Sequence, residues 1–332
     1  MNLKDRIKIL EWLRNYLLES PPAFKDAKEE AFYRNSWFTP PFIDLSVTNI
    51  VRQFLDPAIL DEAVSRYRIQ DRAENPKTVG IVMAGNIPLV GFHDFLLAFL
   101  AGHRQTIKFS TRDQVLLPHL ISTLKDAFPE LVHWISSAET LKGCDAYIAT
   151  GSNNSARYFE QYFAKYPHII RKNRTGIAIL DGSETAEELD KLADDIQLYY
   201  GLGCRNITQV WVPQGYNFSP LLDALDKYSY FLDNHKYKNN YDFVLTINMM
   251  NKETYFSNDS IVISPGVSPF AGISNLKYAY YLVPDDAISA LNPDEVQVIC
   301  GHGYTPFGQA QCPGFFDYAD GVDTLKFLTT PS

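Results

Sequence analysis

Leu3, Ile7, Leu10, Leu13, Leu17 and Leu18 recur at helical spacing over residues 2–19, and Pro21-Pro22 stops the run. The chain therefore opens on an amphipathic helix. Residues 20–56 lose this periodicity, and Trp37, Phe38, Pro40, Pro41 and Phe42 crowd together in a stretch that predicts an irregular wrapping segment. A short helix is expected after Asp56-Pro57, with Pro57 in its first turn. From residue 78 the rhythm changes. TVGIVMA (78–84) reads as a buried strand, GNIPLVG (85–91) as a turn and FHDFLLAFLAG as a helix. A strand over QTIKFS (105–110), a helix over 114–127, a strand over DAYIATG (145–151) and a helix over SARYFEQYF continue the alternation. TGIAIL (175–180), a helix over 185–200 and NITQVWV (206–212) extend it. Short apolar strands separated by amphipathic helices predict an α/β protein whose sheets are mainly parallel.

Composition narrows the classes. With 332 residues, 46% of them hydrophobic, the chain can form two domains sharing a cleft and is not disordered. Its 30 Lys+Arg against 39 Asp+Glu leave a net charge of −9, which argues against nucleic-acid binding. Cys144, Cys204, Cys300 and Cys312 form no CxxC pair, so neither a disulfide scaffold nor a zinc finger is expected. His93, His103, His119, His133, His168, His235 and His302 make no HExxH pattern, and no metal site is expected. The N-terminus mixes charges through its apolar residues, unlike a signal peptide, and no apolar run reaches the ~18 residues of a membrane span. A soluble cytoplasmic protein is the expectation.

Four places carry candidate chemistry. Gly85-Asn86-Ile87-Pro88 follows a strand, where α/β proteins hold ligands, and the Asn86 amide could face a developing oxyanion; a plain turn has the same composition. Ala149-Thr150-Gly151-Ser152 joins a strand to a helix, a place suited to a phosphate, although no GxGxxG is present and capping alone selects such residues. Gly201-Leu202-Gly203-Cys204-Arg205-Asn206 could present the Cys204 thiol from a tight turn, with Arg205 favouring the thiolate and the preceding helix end opposing it; a lone Cys is otherwise a small buried hydrophobe. Arg171-Lys172-Asn173-Arg174 is the sharpest basic run, either a solvated face or a phosphate contact.

In this order GNIPLVGFHDF, ATGSNNSARYFEQYF, YPHIIRKNR, YYGLGCRN and the late PFGQAQCP with DYADGVDTLKFL resemble the aldehyde dehydrogenase superfamily, and within it the acyl-CoA reductases of the bacterial luminescence (LuxC) type. The resemblance runs from about residue 78 to the C-terminus. It implies a Rossmann-like cofactor domain over 71–172, a catalytic domain over 173–300, a segment over 301–332 returning to the cleft, and an N-terminal helical segment over 1–70. It implies Cys204 as nucleophile and Asn86 as oxyanion donor. Lys108 would hold the adenosine ribose, Thr111 and Arg112 a 2′-phosphate with Ser110 also in the cofactor site, and Gly151 and Ser152 would lie under the diphosphate. Pro306-Phe307-Gly308 is similar to a late motif near the active site.

The implied reaction is reduction of a fatty acyl-CoA, or another acyl thioester, to the aldehyde with NADPH and without a metal. The hydrolytic members' Glu upstream of the nucleophile has no counterpart, because that neighbourhood reads His168-Ile169-Ile170-Arg171-Lys172. Two other readings stay open: a cysteine acyltransferase and a non-catalytic acyl- or cofactor-binding subunit. A homo-oligomer and an acyl-transferring partner enzyme are both compatible with the sequence.

Overall fold

The computed structural model describes residues 1–73 and 75–330. The chain forms two compact units, Met1–Asn173 with Gly314–Ser332, and Arg174–Pro313.

The first unit opens on α1 (Leu3–Glu19), α2 (Pro22–Arg34), α3 (Pro40–Asn49), which runs on into a π-helical turn over Ile50–Phe54, and α4 (Pro57–Tyr67). The irregular segment expected at 20–56 is thus corrected to helix. Pro22 and Pro40 each stand first in a helix, where a missing N–H breaks no bond and the fixed φ suits the turn. The aromatic cluster is core, with Phe24, Phe38 and Phe42 all buried. Leu10, Leu13 and Leu17 of α1 join Phe95 and Phe99 in the same apolar cluster.

Then come β1 (Thr78–Val82), α5 (Phe92–Leu100), β2 (Arg104–Lys108), α6 (Leu116–Ala127), β3 (Ile135–Ser137), β4 (Ala146–Thr150), α7 (Asn153–Phe163) and β5 (His168–Arg171). These strands form a parallel sheet in the order β3-β2-β1-β4-β5, with Ile81 of β1 opposite Ile107 of β2 and Ile148 of β4. After β3 the chain crosses to the other side of β1, so the strand order reverses between β1 and β4. Open α/β sheets take ligands in the crevice outside the carboxyl ends at such a reversal.

The second unit holds β6 (Thr175–Ile179), α8 (Ala186–Gln197), β7 (Ile207–Pro213), α9 (Ser219–Leu225), α10 (His235–Asn251), β8 (Phe256–Ser257), β9 (Val262–Pro265), β10 (Asn275–Tyr281), α11 (Pro284–Ala290) and β11 (Val296–Gly301). Its sheet runs β11-β6-β7-β10-β9-β8, parallel except where β8 meets β9. The chain then returns to the first unit, where α12 (Thr324–Thr329) packs on α5 through the buried Leu325 and Leu328. No helix among the described residues is long and apolar enough to cross a membrane.

Candidate functional site

The loop after β1 carries Asn86 and is held from below by a buried carboxylate. Asp113 Oδ2 accepts the Leu89 N–H at 3.2 Å, and its Oδ1 accepts the Leu116 N–H, also at 3.2 Å. Burial raises the Asp113 carboxyl pKa, while these backbone donors pull it back down. The support fixes Leu89 in a left-handed conformation (φ 57°) that a side chain disfavours. Asn86 itself is half-buried. A Cβ on Gly85 would lie 2.5 Å from Ser110 Oγ, so only glycine lets the loops after β1 and β2 close on each other.

Lys108 ends β2 with its side chain exposed, and Ser110 Oγ then accepts the Arg112 N–H at 3.2 Å. Thr111 and Arg112 are exposed. Neither the Lys108 ammonium nor the Arg112 guanidinium has an ion pair or side-chain hydrogen bond among the described residues. At the end of β4, a Cβ on Gly151 would meet Ser155 Cβ at 2.9 Å and Phe159 Cε2 at 3.0 Å, so glycine permits the close strand-to-helix approach. Ser152 caps α7, its Oγ accepting the Ser155 N–H at 3.2 Å. Since β2, β1 and β4 are neighbours, Asn86, Lys108, Ser110, Thr111, Arg112, Gly151 and Ser152 share one edge of one sheet. Two free cations, a glycine cradle and the positive end of a helix fit the diphosphate and ribose of a dinucleotide.

The basic run does not form a phosphate site. Arg171 is buried, pairing with Asp94 and donating to Thr324 Oγ1 at 2.8 Å. Lys172 pairs with Glu160 at 2.8 Å, and Arg174 donates to the carbonyls of Pro293 and Val296. His168 begins β5, at the amino end of the sheet and away from the edge that bears Asn86 and Lys108. Its Nδ1 lies 2.8 Å from the Tyr166 carbonyl.

Cys204 belongs to the second unit and is exposed in the turn before β7. Three left-handed residues precede that turn: Tyr199 (φ 57°), Tyr200 (φ 58°) and Gly201 (φ 72°). Two of them carry large side chains, a strain of roughly 1–3 kcal/mol each that the surroundings must overcome. The Tyr200 ring packs at a tilt against Phe231, 4.3 Å between centroids, and the fully buried Asn206 does the rest. Its amide donates to the carbonyls of Asp195 (3.1 Å), Ile196 (3.1 Å) and Leu198 (2.9 Å), and its Oδ1 accepts the Gly203 N–H at 2.8 Å. One side chain thereby ties the end of α8 to the cysteine turn.

Behind the turn runs the segment containing Pro306-Phe307-Gly308. Arg205 Nε donates to the Ala310 carbonyl at 2.7 Å. Asp195, buried on α8, accepts the Gly308 N–H at 2.6 Å on one oxygen and the Ala310 N–H at 3.0 Å on the other. Burial lifts its pKa to about 6 despite both donors. Sequence reasoning missed the roles of Asp113, Asp195 and Asn206, although the first two left a signal. Asp113 stands three residues before an apolar helical run, as a capping residue does, and Asp195 interrupts the apolar face formed by Leu192 and Ile196.

The other thiols differ from Cys204. Cys144 and Cys300 are buried and Cys312 is half-buried, and burial raises the pKa of all three. Cys300 also donates to Asp195 at 3.8 Å.

The family model described as acyl-CoA reductase (LuxC) matches residues 46–220. None of the curated proteins matches the chain significantly. Among solved structures, the NAD-dependent benzaldehyde dehydrogenase from Corynebacterium glutamicum superposes with a TM-score of 0.68 at 14% identity, over 90% of this chain and 76% of that one. The NAD-dependent aldehyde dehydrogenase from Sinorhizobium meliloti gives 0.65 at 12% identity, over 87% and 68%. The Mycobacterium tuberculosis aldehyde dehydrogenase complexed with NAD+ gives 0.61 at 14% identity, over 87% and 71%. The chain has the aldehyde dehydrogenase fold.

Proposed function

The chain belongs to the acyl-CoA reductase (LuxC) family, and on that premise we propose that it reduces a fatty acyl thioester to the aldehyde with NADPH through a thioacyl-Cys204 intermediate. The observation that carries the proposal is the exposure of Cys204 on a strained, tightly braced turn while the other three thiols are partly or fully buried. The thiolate attacks the thioester carbonyl, the carbon–sulfur bond to CoA breaks, and the acyl group stays on Cys204. Asn86 and the Cys204 backbone N–H stabilise the charge that develops on oxygen, a role whose loss costs about 3–4 kcal/mol per donor. Lys108 and Ser110 hold the ribose, and Gly151 and Ser152 hold the diphosphate at the amino end of α7. When bound, the nicotinamide supplies the hydride that carries the acyl carbon to the aldehyde level.

The 2′-phosphate is the discriminating group. In the superfamily that the chain resembles, NAD-preferring members often carry a Glu three residues beyond the ribose lysine, where it holds the 2′-hydroxyl; here that position is Thr111, followed by Arg112. A carboxylate repels a 2′-phosphate, whereas Thr111 and Arg112 bond to it. The test is cofactor oxidation by the purified protein against a panel of acyl-CoA chain lengths, with NADPH and NADH in parallel. Acyl-CoA-dependent oxidation with higher kcat/KM for NADPH is expected. Thioester consumption without oxidation identifies an acyltransferase instead, and a clear NADH preference rejects the cofactor assignment.

A further inference from the structure

Beside Thr111 and Arg112 the structure has a niche of about 180 Å³ whose opposite wall comes from the carboxyl end of α2. Arg34 and Asn35 line it there, with Arg112, Gln114 and Thr111 across from them. Asn35 Nδ2 donates to the Arg112 carbonyl at 3.1 Å, which fixes the loop after β2 to the N-terminal helices. That bond makes the loop after β2 one wall of a defined recess. Phe38, fully buried, packs its floor and anchors the segment that follows Asn35.

The chemistry of the niche is that of an anion site. Arg112 has no carboxylate partner among the described residues, and Arg34 has one, Glu30, which bonds Nε at 2.5 Å and leaves both terminal nitrogens open. Asp113 also borders the recess, but both of its oxygens accept backbone N–H groups from the loops it supports. Arg34, Arg112, Asn35, Gln114 and Thr111, which carry two guanidinium groups, two amides and a hydroxyl, thus line a recess of about 180 Å³. The niche adjoins the carboxyl end of β2, where a nucleotide ribose sits in folds of this class.

We infer that Arg34 is a specificity-determining residue that grips the 2′-phosphate of the cofactor together with Arg112, so that the N-terminal helices complete the nucleotide site. The inference rests on the nicotinamide reading above. It also gives the helical region before residue 70 a task beyond covering α5 and α6. Glu30 tunes the grip: removing it frees Arg34 and strengthens phosphate binding.

Two probes test it on the full chain, 2′-AMP and 5′-AMP titrated calorimetrically, with NADPH and NADH kinetics in parallel. Arg34→Ala is expected to weaken 2′-AMP about tenfold, the loss of one charge-assisted contact, and to lower the NADPH-to-NADH ratio of kcat/KM by a similar factor. Arg34→Lys should restore part of that ratio, and Glu30→Gln should raise it. A purely structural role for Arg34 would lower activity with both cofactors equally and leave the ratio unchanged, which overturns the inference. An unchanged 2′-AMP affinity in Arg34→Ala overturns it as well. If wild-type protein itself prefers NADH and binds 5′-AMP more tightly than 2′-AMP, the NADPH reading fails first; if wild type prefers NADPH and Arg34→Ala keeps that preference, only the role of Arg34 fails.

Discussion

At the scale of single residues, the four cysteines divide by environment more than by their neighbours in sequence. Cys144 lies against Tyr147 in an apolar cluster and Cys300 points at a buried carboxylate, so both thiolates are disfavoured. Cys204→Ala is therefore expected to abolish turnover and any radiolabelled acyl-enzyme, whereas Cys144→Ala and Cys312→Ala retain both; a labelled acyl-enzyme in Cys204→Ala refutes the assignment. Asn206 supports a second expectation. Asn206→Ala removes four hydrogen bonds from a fully buried position and releases the left-handed residues Tyr199 and Tyr200. Loss of about 3 kcal/mol of stability follows, with kcat falling further than the melting temperature alone explains. Urea unfolding alongside single-turnover kinetics measures both. The turn that exposes Cys204 was legible because flanking glycines announce it. The role of Asn206 was not, since its partners are carbonyls at a helix end that only the folded chain brings within reach.

At the scale of elements, the alternation of apolar strands with amphipathic helices located β1, β2, β4, β6 and β7 within a few residues, because buried parallel strands are apolar throughout. It failed over residues 20–56, where paired prolines mark helix starts as readily as loops. It also failed to resolve β5, whose His168 and Arg171 break the apolar run; Arg171 is polar there because it pairs with Asp94 of α5. The link between α8 and the segment after β11 was equally hidden, as it depends on one buried carboxylate. That link titrates. The pKa of Asp195 in the folded protein is raised from 3.8 to about 6. A raised folded value means its contribution favours the fold fully below the unfolded pKa and is lost as pH rises through about 6. Asp195→Asn abolishes this titration and leaves one of the two backbone N–H groups without an acceptor. The stability gap between wild type and Asp195→Asn should be widest near pH 4 and shrink by on the order of 2–3 kcal/mol by pH 7.5. Denaturant midpoints across that range provide the measurement, and a gap independent of pH refutes the titration.

At the scale of the whole molecule, the proposed acyl-enzyme raises the question of which nucleophile resolves it. Release of free acid needs a water activated by a positioned base, a contribution of about 10²–10⁴-fold. The stretch upstream of the cysteine offers His168, Arg171 and Lys172 in place of the carboxylate that hydrolytic relatives use. Arg171 is committed to Asp94, and an arginine holds its proton at any working pH. Lys172 is committed to Glu160, 2.8 Å away at an exposed position. His168 lies at the amino end of its strand, with Nδ1 against backbone carbonyls. Asp195, near the cysteine turn, has both oxygens occupied by N–H donors. With water inactive, hydride transfer gives aldehyde in one direction, and in the other a thiol takes the acyl group and regenerates a thioester. Aldehyde oxidation should then require CoA or another thiol and yield the thioester, not the acid. Supplying aldehyde and NADP+ without thiol, and assaying free acid over many turnovers, decides the matter. Acid formed at a rate comparable to the CoA-dependent reaction means that a base acts on the acyl-enzyme. His168→Ala then tells whether that base is the histidine, since loss of acid formation with retained thioester formation assigns it.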